Sequence, residues 1–367
     1  MTFGARALIR LGALKQNLRV IRDAAPAAKV MAVIKANAYG HGMQTVAGTL
    51  AGVDAFAVAR LAEAVQLHEF GIKKPIVLLA GVMTAAELDE AKTRGFEVVV
   101  HCVEQVELLE AAGAGKCTVW LKLDTGMNRL GFLPEDAAAL TDRLSTCAAV
   151  GELRLMSHLS SADELDNSTT EDQFTRFRSA VEGFEGAVSI ANTPATLGWS
   201  QMRDAQQTFG FEGDHWIRPG LALYGISPFA GGTGADLGLS PVMQFEARLI
   251  AIKPLREGAR VGYRGRYQAQ SDSVLGIISA GYGDGYSRHF QTGTPVLLNG
   301  RRVSLIGNVS MDMIAVDLGN DARDKVGDIA TLWGPDLPVE EVAPWADAIP
   351  YDLVCGVMHR EVSEIID

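Results

Sequence analysis

Residues 29–42 read KVMAVIKANAYGHG. Val30 to Ile34 form an unbroken apolar run, the pattern of a strand covered on both faces. Lys35 ends the run and is soon followed by Tyr39, Gly40, His41 and Gly42. A charge placed there is costly unless it is paired, kept neutral or consumed by chemistry. Similar runs recur as DAFAVA near Phe56, PIVLLA near Leu78, FEVVVH near Val98, TVWLKLD near Leu121, LRLMSHL near Leu155, AVSIAN near Ser189 and RPGLALYG near Ala222. Counted from Val33, their spacings are 23, 22, 20, 23, 34, 34 and 33 residues, and helical patterns fill the gaps. Met43, Val46, Ala47 and Leu50 make one helical stripe. Thr84 and Gly95 bracket another helix as N-cap and C-terminal stop. Eight strands alternating with helices predict an α/β fold, a (β/α)8 barrel over residues 8–232. A doubly wound open sheet would use fewer strands and begin on a glycine-rich loop.

The pattern changes at SPFAGGTGADLGLSP, residues 227–241, which reads as a linker. Beyond it helical patterns are scarce and short strands dominate, with Asn299-Gly300 as a primed hairpin turn. Residues 233–367 are therefore expected to form a mostly antiparallel β domain, with residues 1–7 a candidate addition to it. The net charge of −11, without a basic run, argues against nucleic acid as a partner. No apolar stretch approaches 18 residues, and Arg10 and Lys15 interrupt the N-terminal segment, so neither a membrane span nor a signal peptide is expected. Cys102, Cys117, Cys147 and Cys355 show no C-x-x-C spacing and read as small buried hydrophobes in a cytoplasmic, reducing compartment. No metal site is assigned.

In a barrel, catalytic groups sit at the carboxyl ends of the strands. By that rule Lys35 closes strand 1, Lys122 and Asp124 lie near the end of strand 5, His158 ends strand 6 and Asn192-Thr193 end strand 7. Arg218 and Gly220 fall where strand 8 is expected to begin. Singly, each is an ordinary solvated or hydrogen-bonded residue; their convergence on one rim points to a site. A buried lysine has a depressed pKa, and an uncharged amine attacks carbonyls. Pyridoxal phosphate on Lys35 would need a phosphate cradle, which Tyr39, the Thr193 hydroxyl and the backbone near Gly220 can supply.

The segment AVIKANAYGHG resembles the pyridoxal-phosphate attachment motif of the alanine racemase family. LKLDTGMNRLGF (121–132), MSHLSSAD (156–163), ANTPAT (191–196), RPGLALYG (218–225), GYGDGYSR (281–288), GNVSMDM (307–313) and IPY (349–351) agree in order and spacing. The resemblance implies interconversion of L- and D-alanine, providing D-alanine for peptidoglycan or serving alanine catabolism. It gives Lys35 the roles of cofactor anchor and one acid/base, and Tyr282 the role of second base on the opposite face of the substrate. Free tyrosine, with a pKa near ~10, is a poor base at neutral pH, so His158 and Arg218 are expected to favour its anion. Arg218 would face the pyridine nitrogen; an arginine only donates, so that nitrogen stays unprotonated and transamination is suppressed. Arg129 and the backbone of Met311 would hold the substrate carboxylate. Tyr39, His158, Asn192, Thr193, Gly220 and Tyr351 would bind the cofactor. Lys122 is expected to be carbamylated, turning a cation beside Arg129 into an anion.

Two positions depart from the family pattern: Thr193 stands where serine is usual, keeping the hydroxyl, and Ser189 stands where histidine is frequent. The resemblance further implies a head-to-tail homodimer in which one chain's β domain closes the other's barrel. A broader-specificity or serine racemase is the near alternative. A decarboxylase on the same architecture would be expected to carry a carboxylate where Arg218 stands. A non-catalytic pyridoxal-phosphate carrier would lack the second domain.

Overall fold

A computed structural model describes residues 4–113, 115–357 and 362–367; residues 1–3 and 358–361 of the expected β domain lie outside the described residues. Eight parallel strands close into a barrel: Lys29–Val33, Ala55–Val58, Ile76–Leu78, Glu97–Val100, Cys117–Lys122, Val150–Met156, Val188–Ser189 and His215–Ile217. The last pairs with the first through Lys29↔Trp216 and Val30↔Ile217. The strands Ala55–Val58, Ile76–Leu78 and Glu97–Val100 are buried at every residue, because helices cover the outer face while side chains fill the inner one. Thr84 caps the helix Ala85–Arg94, accepting from the Glu87 amide, and Gly95 ends it at φ +72°, as its sequence predicts.

The eighth strand differs from expectation. It lies at His215–Ile217, and the apolar LALY is a 3-10 turn, Leu221–Tyr224. Pro219 explains the break: it has no N–H for the ladder and holds Arg218 extended. Arg218 and Gly220 therefore follow the last strand and join the same carboxyl rim as Lys35. All four cysteines are free thiols, but their burial differs from expectation: Cys117 is buried, Cys102 and Cys147 are partly buried and Cys355 is exposed.

Beyond the barrel an eight-stranded sheet runs in the order Ser273–Ile278, Ile314–Asp317, Arg301–Leu305, Pro295–Leu298, Ile329–Trp333, Met243–Leu255, Arg6–Arg10, Val362–Ile366. The long strand Met243–Leu255 also pairs with Ser273–Ile278, closing a ring of antiparallel strands. Asn299 and Gly300, at φ +49° and +75°, turn the hairpin between Leu298 and Arg301. The strand Arg6–Arg10 pairs antiparallel with Met243–Leu255, and Arg6 pairs with Glu246 at 2.6 Å. Glu340, from the β region, accepts from the amides of Ser227 and Gly234 at 2.9 and 2.8 Å, pinning the connecting stretch at two points.

Candidate active site

A cavity of about 610 Å³ opens at the carboxyl rim of the barrel. Lys35, Tyr39, Lys122, Arg129, His158, Asn192, Thr193, Arg218, Gly220 and Tyr351 all line it. Tyr282 and Met311 do not; they lie on the β domain of the same chain.

The strand Lys29–Val33 delivers Lys35 to this rim, and the backbone then does something unusual. Ala36, Asn37, Ala38 and Tyr39 take φ between +51° and +54°, one turn of left-handed helix built from residues with a Cβ. Such residues cost roughly 1–2 kcal/mol each, so the surroundings must hold the turn in place. Glu63 accepts from the Ala36 amide at 2.7 Å, and the Asn37 side chain accepts from the Met43 amide at 2.9 Å. Burial, then the nearby Arg129, lowers the Lys35 amine below its ordinary range, against the opposing pull of Glu63 and Cys355. The amine is thereby biased toward its nucleophilic form.

Cations crowd the rest of this end. Arg218 is buried and donates to the Ser189 hydroxyl, the Ser157 carbonyl, His158 Nδ1 at 3.4 Å and the Ile190 carbonyl at 3.4 Å. Among the described residues these partners are all neutral, and burial pulls its pKa down to about 10. Ser189 thus contacts Arg218 directly, and its hydroxyl also donates to the Trp216 carbonyl at 2.6 Å. Because Arg218 only donates, His158 Nδ1 accepts, and burial with the adjacent Arg218 and Lys122 holds that imidazole neutral. Burial, Arg218 and Arg129 bring the Lys122 amine down to about 8. Arg129 reaches the cavity from a loop that folds back on strand Cys117–Lys122 through Asp124 N–H to Phe132 O, 2.7 Å, and Phe132 N–H to Lys122 O, 2.9 Å.

The same cavity also holds a cradle of hydroxyls and amides. Thr193 Oγ1 accepts from the Gly220 amide at 3.0 Å. A Cβ on Gly220 would come within 2.6 Å of the Tyr39 hydroxyl, so only glycine leaves this gap open. The Tyr39 and Tyr351 rings sit 5.7 Å apart, and burial pushes the Tyr351 phenol up to about 12, so it stays a donor. Asn192 caps the helix Thr193–Gly198, accepting from Ala195 N–H at 3.2 Å, and donates to Leu159 O at 3.2 Å. This cradle, an amine of lowered pKa and a cationic wall together fit a phosphorylated aldehyde.

On the β domain, the Tyr282 amide donates to Ser310 O at 3.0 Å and the Gly283 amide to Met311 O at 2.8 Å, so Tyr282 and Met311 share one exposed face. Tyr263, unremarked in the sequence, lies on the neighbouring loop: Asn308 donates to its carbonyl at 3.0 Å. Its side chain is 72% exposed, against 38% for Tyr282, and it borders a groove with Arg264, Arg266, Arg288 and His289. Arg264 takes φ +63° beside it. The glycines of GYRGRY make this segment read as an ordinary turn, which hides the tyrosine. Glu63, His41 and Tyr224 also support the site without a sequence signal of their own beyond the odd placement of His41.

Family profiles for the alanine racemase N-terminal domain and the alanine racemase C-terminal domain match residues 9–228 and 242–365. An alanine racemase of Vibrio cholerae is 46% identical over 358 residues, covering 97% of this chain and 96% of that protein. The biosynthetic alanine racemase of Pseudomonas aeruginosa is 38% identical, with a TM-score of 0.93 and complete coverage of both chains (100%). The Acinetobacter baumannii alanine racemase is 33% identical, with a TM-score of 0.86 and the same 100% coverage.

Proposed function

The chain belongs to the alanine racemase family, and from that premise we propose that it interconverts L- and D-alanine on pyridoxal 5′-phosphate anchored at Lys35. The observation that carries this reading is the pairing of Lys35 with Arg218 across one cavity, the second buried and bonded, among the described residues, only to neutral acceptors. When bound, pyridoxal phosphate supplies the electron sink that acidifies the substrate Cα–H. Arg218 has no proton acceptor to offer a ring nitrogen, so the residues here favour a weak sink and return of the proton to Cα. Lys35 moves a proton on one face. Tyr39, Thr193, Gly220 and Tyr351 hold the phosphate, with His158 and Asn192 fixing the walls. Arg129 and the Met311 backbone hold the substrate carboxylate. Carbamylated Lys122 pairs with Arg129 and relieves the crowd of cations.

The second base must reach the opposite face, and the tyrosines of the β domain do so only if a second copy docks its β face on this barrel mouth. The reading therefore includes a head-to-tail homodimer. Tyr282 is the base on the sequence reading. The surroundings favour Tyr263, because it is the more exposed of the two and borders a groove lined by Arg264, Arg266 and Arg288. The reading also places the enzyme in the cytoplasm, supplying D-alanine for peptidoglycan or serving alanine catabolism; among the described residues no helix is long and apolar enough to cross a membrane.

The test is chiral chromatography of alanine incubated with the holoenzyme. Racemisation from either isomer is expected, with kcat/KM for alanine well above that for serine. Tyr263→Phe should lower turnover on the order of 1000-fold and Tyr282→Phe far less. The reverse ranking restores Tyr282 as the base, and an optically unchanged product rejects the activity.

A further inference from the structure

We infer that His41 and Tyr224 are positioning residues for the reaction: together they clamp the left-handed turn that separates Lys35 from Tyr39. His41 is buried, and its Nδ1–H is shared between the carbonyls of Tyr39 at 2.8 Å and Ala38 at 3.1 Å. Carbonyls only accept, so the proton resides on Nδ1. The imidazole stacks on Tyr224 with ring centres 4.5 Å apart. Tyr224 in turn donates its hydroxyl to Val33 O at 3.0 Å and packs against the Tyr39 ring at 4.9 Å. The pair thus grips the chain just before Lys35 and again at the far end of the turn. Gly40 completes the grip from outside, since a Cβ there would meet Val354 O at 2.1 Å.

Packing alone does not account for a histidine here. Among the described residues its Nε2 is buried without a partner, and His41 borders a small chamber with Ile226, Met243, Trp333 and Val354. Leaving a buried nitrogen unsatisfied is destabilising, and phenylalanine would fill the space without that penalty. The group that justifies the histidine is the Nδ1–H. It offsets a backbone of four strained residues whose ends carry the amine and the phenol of the site. A loose turn would leave both groups in place on average and misplaced at the moment of proton transfer, where displacements near 1 Å matter.

The experiment compares His41→Phe, which keeps the stack and loses the donor, with His41→Asn, whose amide N–H branches from Cγ as Nδ1 does. Amide hydrogen exchange of residues 36–42, in holoenzyme and in cofactor-free protein, is read beside kcat and KM. His41→Phe is expected to exchange faster by at least tenfold in that segment only and to lose on the order of 100-fold in kcat, with KM within about threefold. His41→Asn should recover slow exchange and most of kcat. Wild-type exchange and turnover in His41→Phe, or an asparagine variant as loose as the phenylalanine one, overturns the inference. Should His41→Phe not fold, Tyr224→Phe carries the test: it keeps the stack, frees the Val33 carbonyl and must loosen the same segment. The inference rests on Lys35 being the anchor; an inactive wild-type enzyme would reject that reading, whereas the exchange comparison judges the clamp by itself.

Discussion

Lys122 shows how one side chain reports the electrostatics of the whole rim. Its folded pKa of about 8 lies below the ordinary 10.5, because burial and the neighbouring Arg218 and Arg129 penalise its charge. Between these two values the unfolded chain binds the extra proton, so stability rises with pH across that window. Below about 8 the lysine is charged in both states, and the folded protein bears the full penalty. In cofactor-free protein kept without carbon dioxide, Lys122→Met should therefore melt a few degrees above wild type at pH 7. The gap should close as pH rises toward 10. Adding bicarbonate should reverse the order at neutral pH, since a carbamate pairs with the cations that repelled the amine. A pH-independent gap, or a less stable variant, would show that Lys122 bears no such penalty. Ser189 makes a related point at the same scale: a hydroxyl is enough to occupy one nitrogen of Arg218.

At the scale of single elements, the turn 36–39 is the least ordinary piece of the fold. Gly40 sits at φ +81°, and its missing side chain leaves room for Val354 O on the helix Pro350–Gly356, which also carries Tyr351. Gly40→Ala is expected to cost about 2–4 kcal/mol, from left-handed strain and from pushing that helix away. Denaturant unfolding checks the stability, and weakened cofactor retention should accompany it because Tyr351 moves with its helix. A change below about 0.5 kcal/mol would mean that the helix yields freely. The sequence foretold the strands well, because doubly covered strands are continuous apolar runs and nothing else in the first half competes with them. It misplaced the eighth, since LALY is just as apolar and only Pro219 betrays that the ladder has ended. It offered little warning of the left-handed turn. Asparagine tolerates positive φ, but alanine and tyrosine carry no such signal, and the glycines that do lie just after the turn. The barrel half of the site was legible for a simple reason: strand ends are fixed by topology, so polar residues there must share a rim. The proposed role of Tyr263 was not, because loops of the β domain have no such rule.

For the molecule as a whole, the function proposed above requires a second chain to complete the site. The barrel mouth carries exposed Leu165 and Ile349, and the β face carries exposed Tyr263, Tyr282 and Met311. Apolar groups left bare on two separate surfaces fit a two-fold arrangement, in which each chain's β face covers the other's mouth and one symmetric contact finishes two sites. This makes a prediction that no single-chain site can imitate. Lys35→Ala and Tyr263→Phe are each expected to be nearly inactive alone. In a hybrid dimer one site receives both defects and the other receives neither. Random mixing yields about half hybrids, each with one intact site of two, so co-expressed variants should recover about a quarter of wild-type turnover. If both groups served a site within one chain, every site in the mixture would stay defective and no activity would return. Substituting Tyr282→Phe in the same mixture locates the base independently: when Tyr263 is the base, Tyr282→Phe homodimers are already active and complementation adds little to them.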